Sequence, residues 1–173
     1  EYDNEIEITK KISSVCDGRV IWGGDNTINK IRKTWIPERA IELTFSDRYS
    51  FTLINSDLLK KNKIDVMVKN FFYDGYTMNQ AACNSPHFVF WIGKKNKTLQ
   101  DYFWLKLSNI VEKKFIFDDM HVVEKYSNLI SNIINQSKFN SIKRFNNSLY
   151  VINVGNKTKN IENIRGINGT FFQ

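Results

Sequence analysis

Met78-Asn-Gln-Ala-Ala-Cys-Asn-Ser-Pro-His-Phe-Val-Phe-Trp-Ile92 decides how this chain is read. Its second half, 87–92, is a nearly continuous apolar run. That is the signature of a strand buried on both faces, as in a parallel sheet packed between helices. Its first half is a polar loop of small residues that ends at Pro86 and carries Cys83. Upstream, Ile64, Met67, Val68, Phe71 and Phe72 recur at helical spacing, in a helix expected to open at Ser56-Asp57. The order is therefore helix, loop with a thiol, buried strand. Asp74-Gly75 marks the end of that helix or an irregularity in it.

The same alternation extends in both directions. Residues 19–22 form a short apolar run ending in Gly23-Gly24, and a helix follows with Ile28, Ile31 and Trp35 on one face. Asp25 or Asn26 is its expected N-cap, and Pro37 stops it. Residues 39–43 and 49–55 read as two further strands. Downstream, a helix starts at Thr98 with Asp101 in capping-box position. Another starts at Asp118-Asp119, where acids favour the positive end of the helix dipole. Residues 148–154 read as a strand, 155–168 as a long loop and 169–172 as a last short strand. Residues 1–14 receive no assignment. The expected class is α/β with a largely parallel sheet.

Composition narrows the function classes. The chain has 173 residues, 42% hydrophobic and 14% aromatic, which favours a folded domain over a disordered segment. No apolar run approaches the length of a membrane span. The formal net charge is +7, but the lysines are scattered rather than gathered in a nucleic-acid patch. Lys94-Lys95-Asn96-Lys97 reads as a solvated turn, with a basic rim for an anionic ligand as the alternative. Two cysteines make no disulfide framework and fit a reducing cytoplasm. The sequons at Asn96, Asn147, Asn156 and Asn168 are attributed to the asparagine-rich composition. No Cys/His spacing suggests a metal, His87 reads as a structural residue, and no P-loop, G-x-S-x-G or H-E-x-x-H occurs.

Taken alone, Cys83 reads as an inert packed cysteine more readily than as a nucleophile. The Gly23-Gly24 turn reads more readily as a tight connection than as a phosphate cradle. The pieces gain weight in order. Val20-Ile-Trp-Gly-Gly-Asp-Asn-Thr-Ile28, Phe51-Thr-Leu-Ile-Asn-Ser-Asp-Leu58 and Asn79-Gln-Ala-Ala-Cys-Asn-Ser-Pro86 together resemble the acyl-CoA reductase family. These are the fatty-acid reductases of bacterial bioluminescence, a divergent branch of the aldehyde dehydrogenase superfamily. Gln80, Cys83 and Ser85 match the family's cysteine block, whereas Asn79 stands where an aspartate is common.

The resemblance implies an aldehyde-dehydrogenase-like catalytic domain over 46–173 and a remnant of the nucleotide-binding domain over 1–45. A full family member is far longer, so the chain is read as a fragment, itself expected to be inactive if so cut. The implied nucleophile is Cys83, with its backbone N–H at the oxyanion and Asn79, Gln80, Asn84 and Ser85 in support. Trp22, Gly23, Gly24, Asp25 and Thr27 are the implied cofactor turn. The implied hydride donor is NADPH, with NADH as the alternative, and the substrate is a fatty acyl-CoA. An acyl-transferring partner protein and a homo-oligomer of the full-length protein also follow from the resemblance. Glu42 is a candidate general base, although an ungapped match places Leu43 at the family's position. Two other readings stay open: a non-catalytic α/β binding module, and a relative that oxidises aldehydes.

Overall fold

The computed structural model describes residues 5–135, 139–154, 161 and 164–173. The chain divides into two compact units, residues 1–48 and 49–173. In the first, α1 (Ile6–Ser13) precedes β1 (Gly18–Gly23), α2 (Asp25–Arg32) and β2 (Ile41–Ser46). The two strands pair in parallel, Arg19 opposite Glu42 and Gly23 opposite Ser46. Ile21 and Ile28 turn inward, between sheet and helix. Val20, Trp22, Leu43 and Phe45 point to the other face of the pair and are exposed.

The helix α1 lies in the segment that patterning left unassigned. A few apolar residues among charges, Ile6, Ile8 and Ile12, give too short a stripe to stand out. The second helix starts one residue earlier than expected, with Gly24 rather than Asp25 or Asn26 at its N-cap. It ends at Arg32, well before Pro37. Trp35 consequently lies outside the helix and is exposed.

The second unit holds β3 (Ser50–Asn55), α3 (Lys61–Tyr76), β4 (Pro86–Ile92), α4 (Lys97–Lys114), α5 (Asp119–Asn135), β5 (Phe139–Phe145), β6 (Leu149–Val154) and β7 (Thr170–Phe172). Its five-stranded sheet has the order β3-β4-β7-β6-β5. The first four strands are parallel and β5 joins β6 antiparallel. The edge strand β5, FNSIKRF, escaped the sequence reading because its two charges and two polar residues sit on a half-exposed edge.

Alternate residues of the central strands serve two cores. Val89, Val151 and Phe171 face α3 and α4, meeting Val68, Phe71, Phe103, Trp104 and Leu107. Their neighbours Phe88, Ile152 and Phe172 face the other way, toward Leu129, Phe139 and Ile164. Such two-faced burial is why 87–92 and 148–154 read as continuous apolar runs.

Two helix starts differ from the sequence reading. Ser56-Asp57 forms a turn, and Asp57 Oδ1 accepts a hydrogen bond from the Lys94 N–H at 3.1 Å, so α3 begins later, at Lys61. Asn96, not Thr98, caps α4, its Oδ1 accepting from the Leu99 N–H at 3.0 Å. Asp101 is therefore no capping-box member and pairs with Lys143 on β5. The Asp74-Gly75 pair interrupts nothing: α3 runs through it to Tyr76.

One buried cation has no acidic partner among the described residues. Lys125 on α5 is 1% exposed. Its Nζ donates to the Asn147 carbonyl at 3.1 Å and lies 4.2 Å from the Tyr150 ring centre. Burial lowers its pKa to about 7, with Arg144 adding repulsion. Between pH 7 and the ordinary lysine range the unfolded chain thus holds a proton that the folded chain has released. Stability should rise with pH across that window and stay level below it. Urea midpoints at pH 7 and pH 9 are expected to differ less in Lys125→Met than in the parent.

Candidate active site

The loop from Thr77 to Ser85 is fixed by its own carbonyls and by one buried glutamine. Asn79 and Gln80 both adopt positive φ, 51° and 63°, which non-glycine residues take only where surroundings enforce it. The enforcement is visible at Gln80. Its Nε2 donates to the Pro86 and Thr170 carbonyls at 2.9 Å each, and its Oε1 accepts from the Gly169 N–H at 3.1 Å. Gln80 thereby ties the loop to the start of β4 and to the start of β7. Gln80→Ala would orphan three buried backbone groups, a loss of about 3 kcal/mol. A thermal melt monitored by circular dichroism checks this.

Asn79 Nδ2 lies 2.6 Å from His121 Nε2 at the start of α5. His121 Nδ1 lies 3.1 Å from Asp118 Oδ1. Ser85 is buried, and its Oγ donates to the Asp74 carbonyl at 2.8 Å. Four residues expected to support the site thus fall into different roles. Gln80 and Ser85 anchor the loop, Asn79 reaches α5, and Asn84 is exposed.

Within this frame Cys83 is half-buried, neither sealed in the core nor free on the surface. Its carbonyl accepts from Ser50 Oγ at 2.7 Å. Its sulfur and its backbone N–H make no hydrogen bond among the described residues. The loop stands at the amino ends of the parallel strands. It does not stand at the carboxyl ends, where α/β sheets usually bind ligands. An N–H with no acceptor among the described residues, on the residue that carries a half-buried thiol, is the arrangement that an oxyanion at an attacked carbonyl requires.

The glycine turn lies in the first unit. Trp22 is 72% exposed and packs against Phe45, ring centres 5.8 Å apart. Gly24, Asp25 and Thr27 are exposed, and Gly23 is half-buried. No side chain caps α2, and the N–H groups of Asp25, Asn26 and Thr27 find no acceptor among the described residues. A Cβ on Gly24 would meet nothing within 4 Å, so that side of the turn is open. These donors fit a phosphate group.

Glu42 is in the first unit too. Both its oxygens are engaged: Oε2 by the Arg19 guanidinium and Oε1 by Arg32 Nε at 2.9 Å. Arg19 in turn donates to Thr34 and Ser13, Oγ1 of Thr34 at 2.7 Å. The carboxylate is the centre of an ion cluster beneath β1 and β2, a geometry that gives a general base no support. Among the described residues no group of histidines, cysteines and acids is placed to hold a metal.

Sequence reasoning passed over Ser50, His121 and Gly169. Each joins the loop from at least 33 positions away in the chain, and none belongs to a local motif.

The description Acyl-CoA reductase (LuxC) matches residues 3–117, which span the glycine turn, the whole of the cysteine loop and α4. The chain belongs to that family. No curated protein matches the chain. Among solved structures, an aldehyde dehydrogenase from Brucella melitensis biovar abortus 2308 superposes with a TM-score of 0.63 at 10% identity, over 97% of this chain and 37% of that one. Staphylococcus aureus AldH in a substrate-bound state gives 0.60 at 9% identity, over 98% and 39%. A putative methylmalonate-semialdehyde dehydrogenase from Sinorhizobium meliloti 1021, complexed with NAD, gives 0.60 at 11%, over 97% and 38%. At such identities the likeness establishes the fold: this LuxC-family chain is folded as an aldehyde dehydrogenase is. It spans less than two fifths of the length of each of these structures. No described helix is long and apolar enough to cross a membrane.

Proposed function

We propose that this chain carries the thioester-forming part of an acyl-CoA reductase, with Cys83 as nucleophile. The observation that carries the reading is the half-buried Cys83, whose sulfur and N–H make no hydrogen bond among the described residues, inside the segment matched by the family. In the proposed reaction the Cys83 thiolate attacks the carbonyl carbon of a fatty acyl-CoA. The oxygen takes up negative charge and accepts the Cys83 N–H. The bond from carbon to the coenzyme sulfur breaks, coenzyme A leaves as its thiol with a proton from solvent, and an acyl thioester remains on Cys83.

The second half of the reaction needs a two-electron donor. A nicotinamide cofactor, NADPH before NADH, supplies a hydride when bound. The unpaired amides of Asp25 to Thr27 are the groups that would hold its phosphates, with the exposed Trp22 beside them. A hydride delivered to the thioester carbonyl would give a hemithioacetal oxyanion, which would expel the Cys83 thiolate and release a fatty aldehyde. No water enters, so no base is needed for hydrolysis, in keeping with the engaged carboxylate of Glu42. On this reading residues 1–48 belong to the nucleotide-binding half and 49–173 to the catalytic half. An acyl-donating partner protein, self-association of the whole protein and residence in the cytoplasm complete the proposal.

The test is incubation with a long-chain acyl-CoA, followed by intact mass and peptide mapping. The expected result is one acyl adduct, on Cys83, with an equivalent of free coenzyme A. No adduct, or equal labelling of Cys16 and Cys83, overturns the reading in favour of a binding module in which the thiol only packs.

A further inference from the structure

Three residues distant in the chain close a ring of hydrogen bonds at the thiol loop. Asn79 Nδ2 lies 2.6 Å from His121 Nε2. The His121 carbonyl accepts from Asn168 Nδ2 at 3.1 Å. The Asn168 N–H donates to the Asn79 carbonyl at 3.3 Å and completes the ring. The loop is thereby joined to the first turn of α5 and to the turn that leads into β7. Asn79 and Asn168 both hold positive φ, 51° and 50°, and such backbone persists only where neighbours impose it.

Both partners of Asn79 are fixed on their far sides. The His121 N–H donates to Asp118 Oδ1 at 2.8 Å, and its buried Nδ1 lies 3.1 Å from the same oxygen. Asn168 is buried, and its Nδ2 also reaches Glu124 Oε2 at 3.2 Å. Among the described residues the Asn79 side chain makes no hydrogen bond except to His121. An amide offers a donor and an acceptor at one end, so Asn79 can meet either tautomer of the imidazole. The aspartate common at this position in the family would need the proton on Nε2. Without the tie Asn79 is free to leave its disfavoured conformation, and the short segment up to Cys83 moves with it.

The geometry points to His121 as a positioning residue of the thiol loop, acting on Cys83 through Asn79. This rests on the proposed acyl transfer to Cys83. Its effect is on the placement of the Cys83 sulfur and N–H against an acyl carbonyl, not on the thiol's own chemistry.

The test compares acyl transfer from a long-chain acyl-CoA with alkylation of Cys83 by iodoacetamide, which requires no oriented carbonyl. His121→Ala should lower the limiting rate of acyl transfer by about 10²-fold, the scale of a small misplacement. The half-saturating acyl-CoA concentration and the alkylation rate should stay within about twofold of the parent. His121→Gln puts an amide near the Nε2 position and should recover at least about tenfold of the loss. Asn79→Gly removes the side chain but permits positive φ, and should match His121→Ala. The double variant should be no slower than either single one, because both cut the same tie. Hydrogen exchange at the Ala81 and Asn168 N–H groups, bonded to the Met78 and Asn79 carbonyls, should quicken in each. Acyl transfer at the parent rate in His121→Ala overturns the inference and leaves the role of Cys83 standing. An equal fall in alkylation, or losses that multiply in the double variant, also overturns it. No acyl adduct on the parent overturns both. If His121→Ala melts below the assay temperature, Asn79→Gly decides by the same measures, and the parent rate there overturns the inference.

Discussion

Cys83→Ser is expected to slow acyl transfer from an acyl-CoA to the protein by roughly 10⁴-fold or more, the scale of loss when a catalytic nucleophile is removed. The substitution exchanges sulfur for oxygen at nearly constant shape. The Cys83 sulfur makes no hydrogen bond among the described residues, so none is lost and the thermal midpoint should hold. The chemical change is large, because a serine hydroxyl without an adjacent base is hardly ionised, whereas a thiol always supplies some thiolate. Cys16 provides the comparison. Its Sγ donates to the Ser13 carbonyl at 3.3 Å in the other unit. Cys16→Ser should leave release of coenzyme A at the parent rate. Coenzyme A release from Cys83→Ser at the parent rate would remove the chemical basis of the proposed reaction.

The second large effect is on folding. Gly169 has φ +84°, and a Cβ there would lie 2.3 Å from the Ser148 carbonyl oxygen and 2.6 Å from Tyr76 Oη. Neither neighbour is free to retreat. Tyr76 is fully buried and its hydroxyl donates to that same Ser148 carbonyl, while the Gly169 N–H is held by Gln80. Gly169→Ala combines a disfavoured backbone with a collision against main chain, so a loss above about 4 kcal/mol is expected. For a chain of this size that lowers Tm by roughly 10 °C or more. Gly24→Ala is the control. Its Cβ would meet nothing within 4 Å, and the cost should stay below about 1 kcal/mol, that of a poorer N-cap. Equal melting of the two variants would mean that the Gly169 turn is looser than described. Because Gly169 also holds Gln80, its variant should loosen the thiol loop as well.

How much was legible follows from the range of each interaction. The strand at 87–92 was readable because burial on both faces leaves an unbroken apolar string, and β6 was readable for the same reason. The late start of α3 was not. Ser56-Asp57 carries an ordinary helix-opening signal, but Asp57 spends its carboxylate on Lys94 of the turn after β4, 37 residues away. Asp101 was misplaced in the same manner, drawn off by Lys143 on a strand that the sequence did not reveal. Glu42 is the instructive case at the site. Its position in β2 was foreseen, but its two arginine partners come from β1 and α2, and they turn a candidate base into a structural charge.

Local pattern by itself determined that helices and strands alternate, that a lone cysteine sits between a helix and a doubly buried strand, and that a pair of glycines marks the passage from β1 into α2. Those features depend on neighbours a few residues apart, where spacing and side-chain size are sufficient. Only tertiary structure decided that the thiol is half-buried, that Gln80 pins its loop to β7, and that Lys125 is buried against the Asn147 carbonyl and the Tyr150 ring. Those outcomes depend on which distant groups fill each other's hydrogen bonds and charges, and a linear pattern holds no record of that.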